Sequence, residues 1–427
     1  MSAPPAAENF LPREFEPNGY VSPPPWLAPR RARALRDFQA RGIPHRRVEE
    51  WKYSDLRNAL EAPCDAAAEV SVAESAPDRF ARIAGHRLAL RDGRFDAGSV
   101  RTDALPGGIE LVDLGEIGAD APDWVIRNLG HVLSGGAVGE ASLALMRGGL
   151  ALRVTQDVET PVHLRFLQSA NAAHSRMLIV VGQGASLDLL ESHGRANGLA
   201  NIGFEVILEP GARMTHARLA APAPDAIQIE EIGIRMARDS CYRGHFSQAG
   251  AKLSRLELAI ALCGEGAGAE LSGATVLGGK LHADVTTHIE HVAGKTASRQ
   301  LFKHVAGGIS RAVYQGKITV QKGADGSDSR QTAKALLLGE RAEADLKPEL
   351  EILADDVKCA HGAAVGELDA DSLFYLRSRG LAEQDARGML LRGFLEEAVA
   401  EIARDDVREC VWNFIEDGLV LAQEVRA

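Results

Sequence analysis

Between about residues 135 and 355, apolar residues alternate with polar ones in short runs instead of recurring every three or four positions. Ser186-Leu187-Asp188-Leu189, Phe204-Glu205-Val206-Ile207-Leu208 and Ile318-Thr319-Val320 show the alternation, and Leu178-Ile179-Val180-Val181 is a short, wholly apolar run. A period of two sends successive side chains to opposite faces, which predicts strands. Turn-forming residues punctuate the stretch at Gly184, Gly211, Asp239, Gly266, Gly294 and Gly323, at intervals of 27, 28, 27, 28 and 29 residues. So regular a repeat, with no helical pattern between, predicts the stacked coils of a β-solenoid. One coil cannot bury its own apolar face, whereas a stack builds a continuous core. An antiparallel sandwich, the competing architecture, would place turn signals every 8 to 12 residues or so.

The flanks read differently. Eight of the eighteen prolines fall in residues 1–29, Pro23-Pro24-Pro25 among them, so residues 1–28 are expected to form a disordered, Pro-rich arm. A helix is expected from Pro29 to Arg41, with Ala32, Leu35 and Phe38 as its apolar stripe and Gly42 and Pro44 ending it. Residues 60–130 look like mixed short elements, with turns at Asp92-Gly93 and Pro106-Gly107-Gly108. Three further helices are expected: Asp371 to Arg379 closed by Gly380, Glu383 to Arg404, and Asp406 to Asp417 ended by Gly418. The last should turn Val407, Val411, Phe414 and Ile415 inward. The middle one carries two apolar stripes: Met389, Leu390, Phe394, Ala398 and Ile402, and then Leu391, Leu395 and Val399. Two stripes exceed what one core contact needs, which leaves surface for a partner. The expected division is a mixed, helical N-terminal domain over 29–130, a solenoid core over 131–362 and a helical C-terminal domain over 363–427.

Composition narrows the function. The chain has 427 residues, 45% of them apolar and 25% charged, with a net charge of −11. That acidity argues against nucleic acid as a partner, since phosphate binding needs a basic surface. No apolar run reaches 18 residues, so no membrane helix is expected, and no apolar stretch follows the start, so no secretory leader is expected. The five cysteines, Cys64, Cys241, Cys263, Cys359 and Cys410, are odd in number, widely spaced and free of any CxxC. A reducing compartment, the cytoplasm, fits them better than a disulfide framework.

Candidate chemistry is sparse. Gly273-Ala274-Thr275-Val276-Leu277-Gly278-Gly279-Lys280-Leu281 approaches a phosphate loop, but an extra glycine displaces the lysine and Leu281 stands where a hydroxyl is needed. No nucleotide is therefore expected on this chain. Gly308 to Arg311 lacks the second glycine of a nucleophile elbow, so no catalytic serine is expected. Few aromatics and no evident carboxylate pair speak against a carbohydrate-acting solenoid. His282, His288 and His291 lie within ten residues; on one strand the first two would share a face and the third would not. Cys359-Ala360-His361 is the best candidate: residues i and i+2 of an extended segment point to one side, so a thiol and an imidazole converge. Together they suit soft metals and iron–sulfur chemistry.

These residues carry a family resemblance. Leu346-Lys347-Pro348-Glu349-Leu350-Glu351-Ile352, Ala354 to Gly362, Ala364-Val365-Gly366 and Leu373 to Gly380 resemble the signature of the SufB/SufD family, scaffold subunits of the SUF iron–sulfur cluster assembly system. Ser298 to Lys303, Tyr314-Gln315-Gly316-Lys317-Ile318, Gln331 and Leu336-Leu337-Leu338 agree, in order, over most of residues 130–427. Glu49-Glu50-Trp51-Lys52-Tyr53 and the modest length resemble the SufD branch. Phe302, Tyr314 and Ala364 depart mildly from the family pattern, and Gly323 to Asp328 looks like a small insertion.

The resemblance implies a right-handed parallel β-helix between helical ends, in a complex with a SufB-like subunit and a SufC-like ATPase. The β-helix end would meet SufB and the C-terminal helices, through exposed parts of Leu391 and Leu395, would dock SufC. It implies a scaffold with no catalysis of its own. His361 and Cys359 would be metal ligands for a transient iron–sulfur cluster held only in the complex, with His361 essential and Cys359 auxiliary. A second copy of the chain is the candidate partner when it is isolated. Two alternatives stand beside this: a SufB-like subunit that holds the cluster and accepts sulfur through Cys241 and Cys263, and a β-helix enzyme acting on carbohydrate or acyl groups.

Overall fold

The structure is a computed structural model that describes residues 13–15, 22–61, 78–99, 105–133, 136–169, 172–194 and 198–424. Most of the expected N-terminal arm, residues 1–12 and 16–21, lies outside the described residues, as does Cys64.

The alternating sequence folds as expected, into parallel coils in which each coil gives one strand to each of two sheets. One sheet holds β5 (Val162–Leu167), β7 (Ser186–His193), β9 (Arg213–Ala220), β11 (Cys241–Gln248), β13 (Gly268–Leu277), β15 (Ala297–Ala306), β17 (Asp328–Leu337) and β19 (Lys358–Gly366). The other holds β4 (Gly148–Val154), β6 (Ala172–Val181), β8 (Leu199–Leu208), β10 (Ile227–Met236), β12 (Leu253–Leu262), β14 (His282–His291), β16 (Arg311–Val320) and β18 (Glu343–Ile352). The first sheet is extended by β1 (His86–Arg91), parallel to β5, and β2 (Arg94–Phe95); the second by the antiparallel β3 (Ile109–Asp113). Parallel register stacks like on like. Ile179, Val206, Ile234, Ile260, Ile289, Ile318 and Leu350 form one unbroken inward ladder.

The turn landmarks stack as well. Positive φ falls at Gly184, Gly211, Asp239, Gly266, Lys295, Gly323 and Gly326, and each turn is hydrogen-bonded to the next, by backbone groups or, from the Lys295 turn back to that of Gly266, by Lys295 Nζ to Glu265 Oε1. Lys295 takes the left-handed position beside Gly294, whereas Gly323 takes positive φ as expected and Gly326 adds a second left-handed residue in the same, longer turn. A Cβ on Gly294 would lie 2.7 Å from the Asp325 carbonyl, so this glycine serves close approach. β17 begins 31 residues after β15, so the insertion noted at Gly323 to Asp328 is absorbed entirely in the turn.

Helices cover the outer faces. On the β4–β18 sheet lie α1 (Ala28–Arg41), α2 (Leu56–Glu61), α3 (Asp123–Asn128) and α4 (Ala137–Leu145), sharing a core with Leu178, Val180, Ile207 and Ile229. The buried residues of α1 are Arg31, Ala34 and Phe38; Phe38 is as expected and Leu35 packs partly buried beside it, but Ala32 is exposed and Arg31 takes the inward place at that end. Arg31 is drawn in because its Nη2 donates to the carbonyls of Ala144 (2.8 Å) and Met146 (3.1 Å), groups that α4 leaves unpaired at its end. On the opposite sheet lie α6 (Glu383–Val399) and α7 (Asp405–Glu424), while α5 (Ala370–Ser378) buries no side chain.

Three expectations about these helices are corrected. α6 ends at Val399, because the chain must turn back to lay α7 across the same sheet. α7 continues through Gly418, whose missing side chain lets the helix approach β13; a Cβ there would sit 3.2 Å from that of Val276. Leu391 and Leu395 are fully buried against the solenoid and offer nothing to a partner, whereas Met389 is 55% exposed.

Candidate functional site

Among the described residues nothing caps the solenoid at its C-terminal end. β18 and β19 are the edge strands of the two sheets, and neither contains a fully buried residue. Ile352, Leu353, Val365, Phe374 and Tyr375 are exposed there or just beyond. An uncovered edge presents unpaired backbone donors and acceptors, a ready template for another chain.

Cys359 and His361 lie on this edge. Register pairs Cys359 with Ser329 and His361 with Gln331, residues that are fully buried in the solenoid interior. The two side chains therefore top inward columns at the open end, as the spacing predicts. Cys359 is half-buried against Ile318, Val320 and Ala324, while His361 is exposed. Burial pushes the Cys359 thiol up, Asp328 adds to this, and a backbone hydrogen bond with Ser329 opposes it. The free chain thus holds a thiol here at neutral pH, and Lys358 does not enter the balance. Beneath Cys359 runs a polar chain: Ser329 Oγ to Ser298 Oγ, 2.8 Å, then Ser298 Oγ to His291 Nε2, 2.9 Å, and His291 Nδ1 to Thr296 Oγ1, 2.8 Å.

The other sequence candidates do not assemble. His282, His288 and His291 share β14 but bind separate partners: Ser54 (3.2 Å), Thr319 (3.2 Å), and Thr296 with Ser298. Cys241 opens β11 and Cys263 follows β12, so they belong to different sheets; burial raises the thiol pKa of both. Cys410 is buried in α7.

Two clusters escaped the sequence reading. Inside the solenoid, Glu191, His193 and Glu230 place donor atoms within 4.8 Å of one another, and His216 Nε2 lies 2.7 Å from Glu191 Oε2. Burial works to raise the Glu191 carboxyl, but His193 and His216 hold it well below the carboxylate range. Donors of this kind suit a divalent metal, yet Arg218 already stands among them. Its Nε is 2.8 Å from Glu230 Oε2 and 3.5 Å from Glu191 Oε1. A fixed cation between both carboxylates makes this an ion-pair network, in which Arg218 Nη1 and Glu230 Oε1 have no hydrogen-bond partner among the described residues. The signal was present: Glu191 and His193 are two apart on a strand, the same spacing that marked Cys359 and His361.

The second cluster explains Glu49 to Ser54. Trp51 lies over the guanidinium of fully buried Arg255, 4.3 Å from its centre, and Arg255 Nη1 donates to Asp284 Oδ2 at 2.6 Å. Ser54 Oγ donates to the same oxygen at 2.5 Å, Gln315 Nε2 to the Glu50 carbonyl at 3.1 Å, and Lys347 Nζ to Glu49 Oε1 at 2.6 Å. The N-terminal motif is thus clamped onto Gln315 and Lys347 of the C-terminal signature.

Comparison with known proteins agrees. Residues 165–394 match the SUF system FeS cluster assembly SufBD core domain, and residues 22–160 match the SufBD protein N-terminal region. The chain belongs to the SufBD family. It is 31% identical over 395 residues to an iron–sulfur cluster assembly SufBD family protein of Synechocystis, covering 86% of this chain and 87% of that protein. It is 30% identical over 394 residues to the iron–sulfur cluster assembly protein SufD of Escherichia coli, covering 89% and 90%. A SufBD family protein of Mycobacterium bovis is 25% identical over 402 residues, covering 91% and 92%. Family membership ties the chain to SUF-system cluster assembly, and among the described residues no helix is long and apolar enough to cross a membrane.

Proposed function

We propose that this chain is a scaffold subunit, with no catalysis of its own, that pairs with a SufB-like partner through the open C-terminal end of the solenoid. The observation that carries the reading is the placement of Cys359 and His361 on the uncovered edge strand β19. There the two side chains supply a thiolate and an imidazole to a cluster in transit, leaving its remaining positions to the partner. A cluster ligated incompletely by each chain is released more easily, as a scaffold requires. The raised thiol pKa of Cys359 means that iron or the partner must draw off its proton.

Residues 131–362 act in this reading as the stacked core and 363–427 as a docking domain for a SufC-like ATPase, in the cytoplasm. Exposed Met389 and Val420 line one cleft on α6 and α7 and take the role first expected of Leu391 and Leu395. Nucleotide chemistry falls to the ATPase, since the glycine-rich stretch after Gly273 is strand and turn.

The test is His361→Ala and Cys359→Ser in cells that depend on this complex. Complex assembly should persist while cluster formation falls, more for His361→Ala. Maturation of iron–sulfur enzymes at the normal rate in both variants would overturn the assignment. Met389→Asp should separately weaken ATPase co-purification, an interface anchor being worth about 2 kcal/mol or more; undiminished ATPase recovery would remove the docking assignment.

A further inference from the structure

A cleft of about 340 Å³ lies where the turn from α6 to α7 crosses the outer face of the β5–β19 sheet. Its floor is apolar: Leu190, Ala217 and Leu301 from the strands, Ile402 and Val407 from the helical side. Its rim is charged, and strand register orders that rim. Asp188, Thr215, Arg243, Glu270, Arg299 and Arg330 occupy one outward column on successive strands.

Most of the column pairs internally. Thr215 Oγ1 donates to Asp188 Oδ1 at 2.5 Å, Arg404 Nη1 meets Asp188 Oδ2 at 3.1 Å, and Arg243 Nε meets Glu270 Oε2 at 2.9 Å. Glu397 at the rim is held by Lys303 at 2.5 Å. Arg299 and Arg330 break the pattern. They are direct neighbours in register, both are exposed, and neither side chain has an ion pair or hydrogen bond among the described residues. Glu401 is the remaining acid of the lining with no ion pair or hydrogen bond among the described residues, so the unpaired charge of the lining is two arginines against one carboxylate. Strand spacing sets their backbones about 4.8 Å apart, where like charges repel. An anion between them turns that repulsion into attraction.

We propose that this cleft binds a phosphorylated small molecule, its phosphoryl group between Arg299 and Arg330 and its apolar or aromatic body on the Leu301–Ile402 floor. The choice of phosphoryl over carboxylate follows from acceptor count. One guanidinium fork satisfies both oxygens of a carboxylate, whereas the three terminal oxygens of a phosphomonoester accept from two forks at once. The volume falls within the ordinary span for small-molecule sites, about 300–1,000 Å³. His245, in the wall, is fully buried with both ring nitrogens bonded, to Ser272 and Ser247 at 2.8 Å each, so it adds no charge near neutral pH. This site is independent of the scaffold reading and uses neither Cys359 nor His361.

The test is calorimetric titration of the purified full chain with phenyl phosphate, inorganic phosphate and benzoate at low salt. Phenyl phosphate should bind saturably and at least about tenfold more tightly than either other probe. Arg299→Gln and Arg330→Gln should each weaken it about tenfold, the usual worth of a charge-assisted hydrogen bond. Ile402→Ala should weaken phenyl phosphate and leave inorganic phosphate unchanged. Absence of saturable phenyl phosphate binding, benzoate binding as tightly, or full affinity in the Arg299→Gln/Arg330→Gln double variant would each overturn the proposal.

Discussion

Replacing Arg255 by methionine should loosen the N-terminal region from the solenoid. Arg255 and Asp284 are both fully buried, joined at 2.6 Å, and the guanidinium is also roofed by Trp51 and bonded to Glu257 at 3.0 Å. Methionine keeps much of the volume and removes the charge, so Asp284 is left buried with Ser54 and Thr286 as donors and no counterion. Breaking a buried pair in this way costs about 3–5 kcal/mol. The loss is local, because the pair joins residues 49–61 to one sheet face while the solenoid ladders are untouched. Hydrogen exchange is therefore the suitable assay. At about 1.4 kcal/mol per tenfold, amides of residues 49–61 should exchange faster by a factor of about 10² to 4 × 10³. Adding Asp284→Asn removes the stranded charge, and the double variant should lose less than the sum of the single variants by about 1–3 kcal/mol. Acceleration under tenfold, or strict additivity, would refute the claim that a buried charge pair holds this segment.

Other consequences follow from particular groups. Burial pushes His174, His245 and His304 down to about 4, about 3 and about 4, against an ordinary 6.5. Below pH 6.5 the unfolded chain takes up protons that the fold refuses, so stability is full above 6.5 and lost as pH falls toward 4, by up to about 1.4 kcal/mol per pH unit per histidine. The urea midpoint should drop between pH 7 and pH 5, and a flat profile would contradict the buried neutral state. Alkylation of Cys359 in the isolated chain should show an inflection above that of an ordinary thiol, lowered by Asp328→Asn; an inflection at the ordinary value would mean that burial and Asp328 do not govern the thiol. Gly418→Val should destabilise docking of α7 by about 1–3 kcal/mol through overpacking against Val276; an unchanged melting temperature would show that the helix can retreat freely.

The solenoid was legible because its physics is one-dimensional. Each coil packs on its neighbours, so the repeat length, the alternation and the left-handed turn residues are all local features of the chain. The same alternation placed Cys359 and His361 on one side of a strand, and the motif around them carried the family. Sequence periodicity could not say which residue of a turn takes positive φ, so the landmark shifted from Gly294 to Lys295, and Gly326 joined Gly323 in the left-handed region. It also could not say which members of the two apolar stripes expected of α6 would be left outside once Ala398 and Ile402 of one and Leu391, Leu395 and Val399 of the other met the sheet. That depends on where the α6–α7 turn falls, and the outcome buried Leu391 and Leu395 and left Met389 outside. Arg31 displaced Ala32 at the start of the α1 stripe for a similar reason: it is buried by carbonyls more than a hundred residues away. The clamp of Trp51 on Arg255, the internal Glu191–Arg218–Glu230 network and the Arg299–Arg330 pair at the cleft all arise from contacts between distant coils or between coil and helix. Each residue alone looks like an ordinary surface or strand residue. Only when strand register and helix placement are fixed do their charges meet, because electrostatic pairing depends on distance in space and leaves no period in the chain.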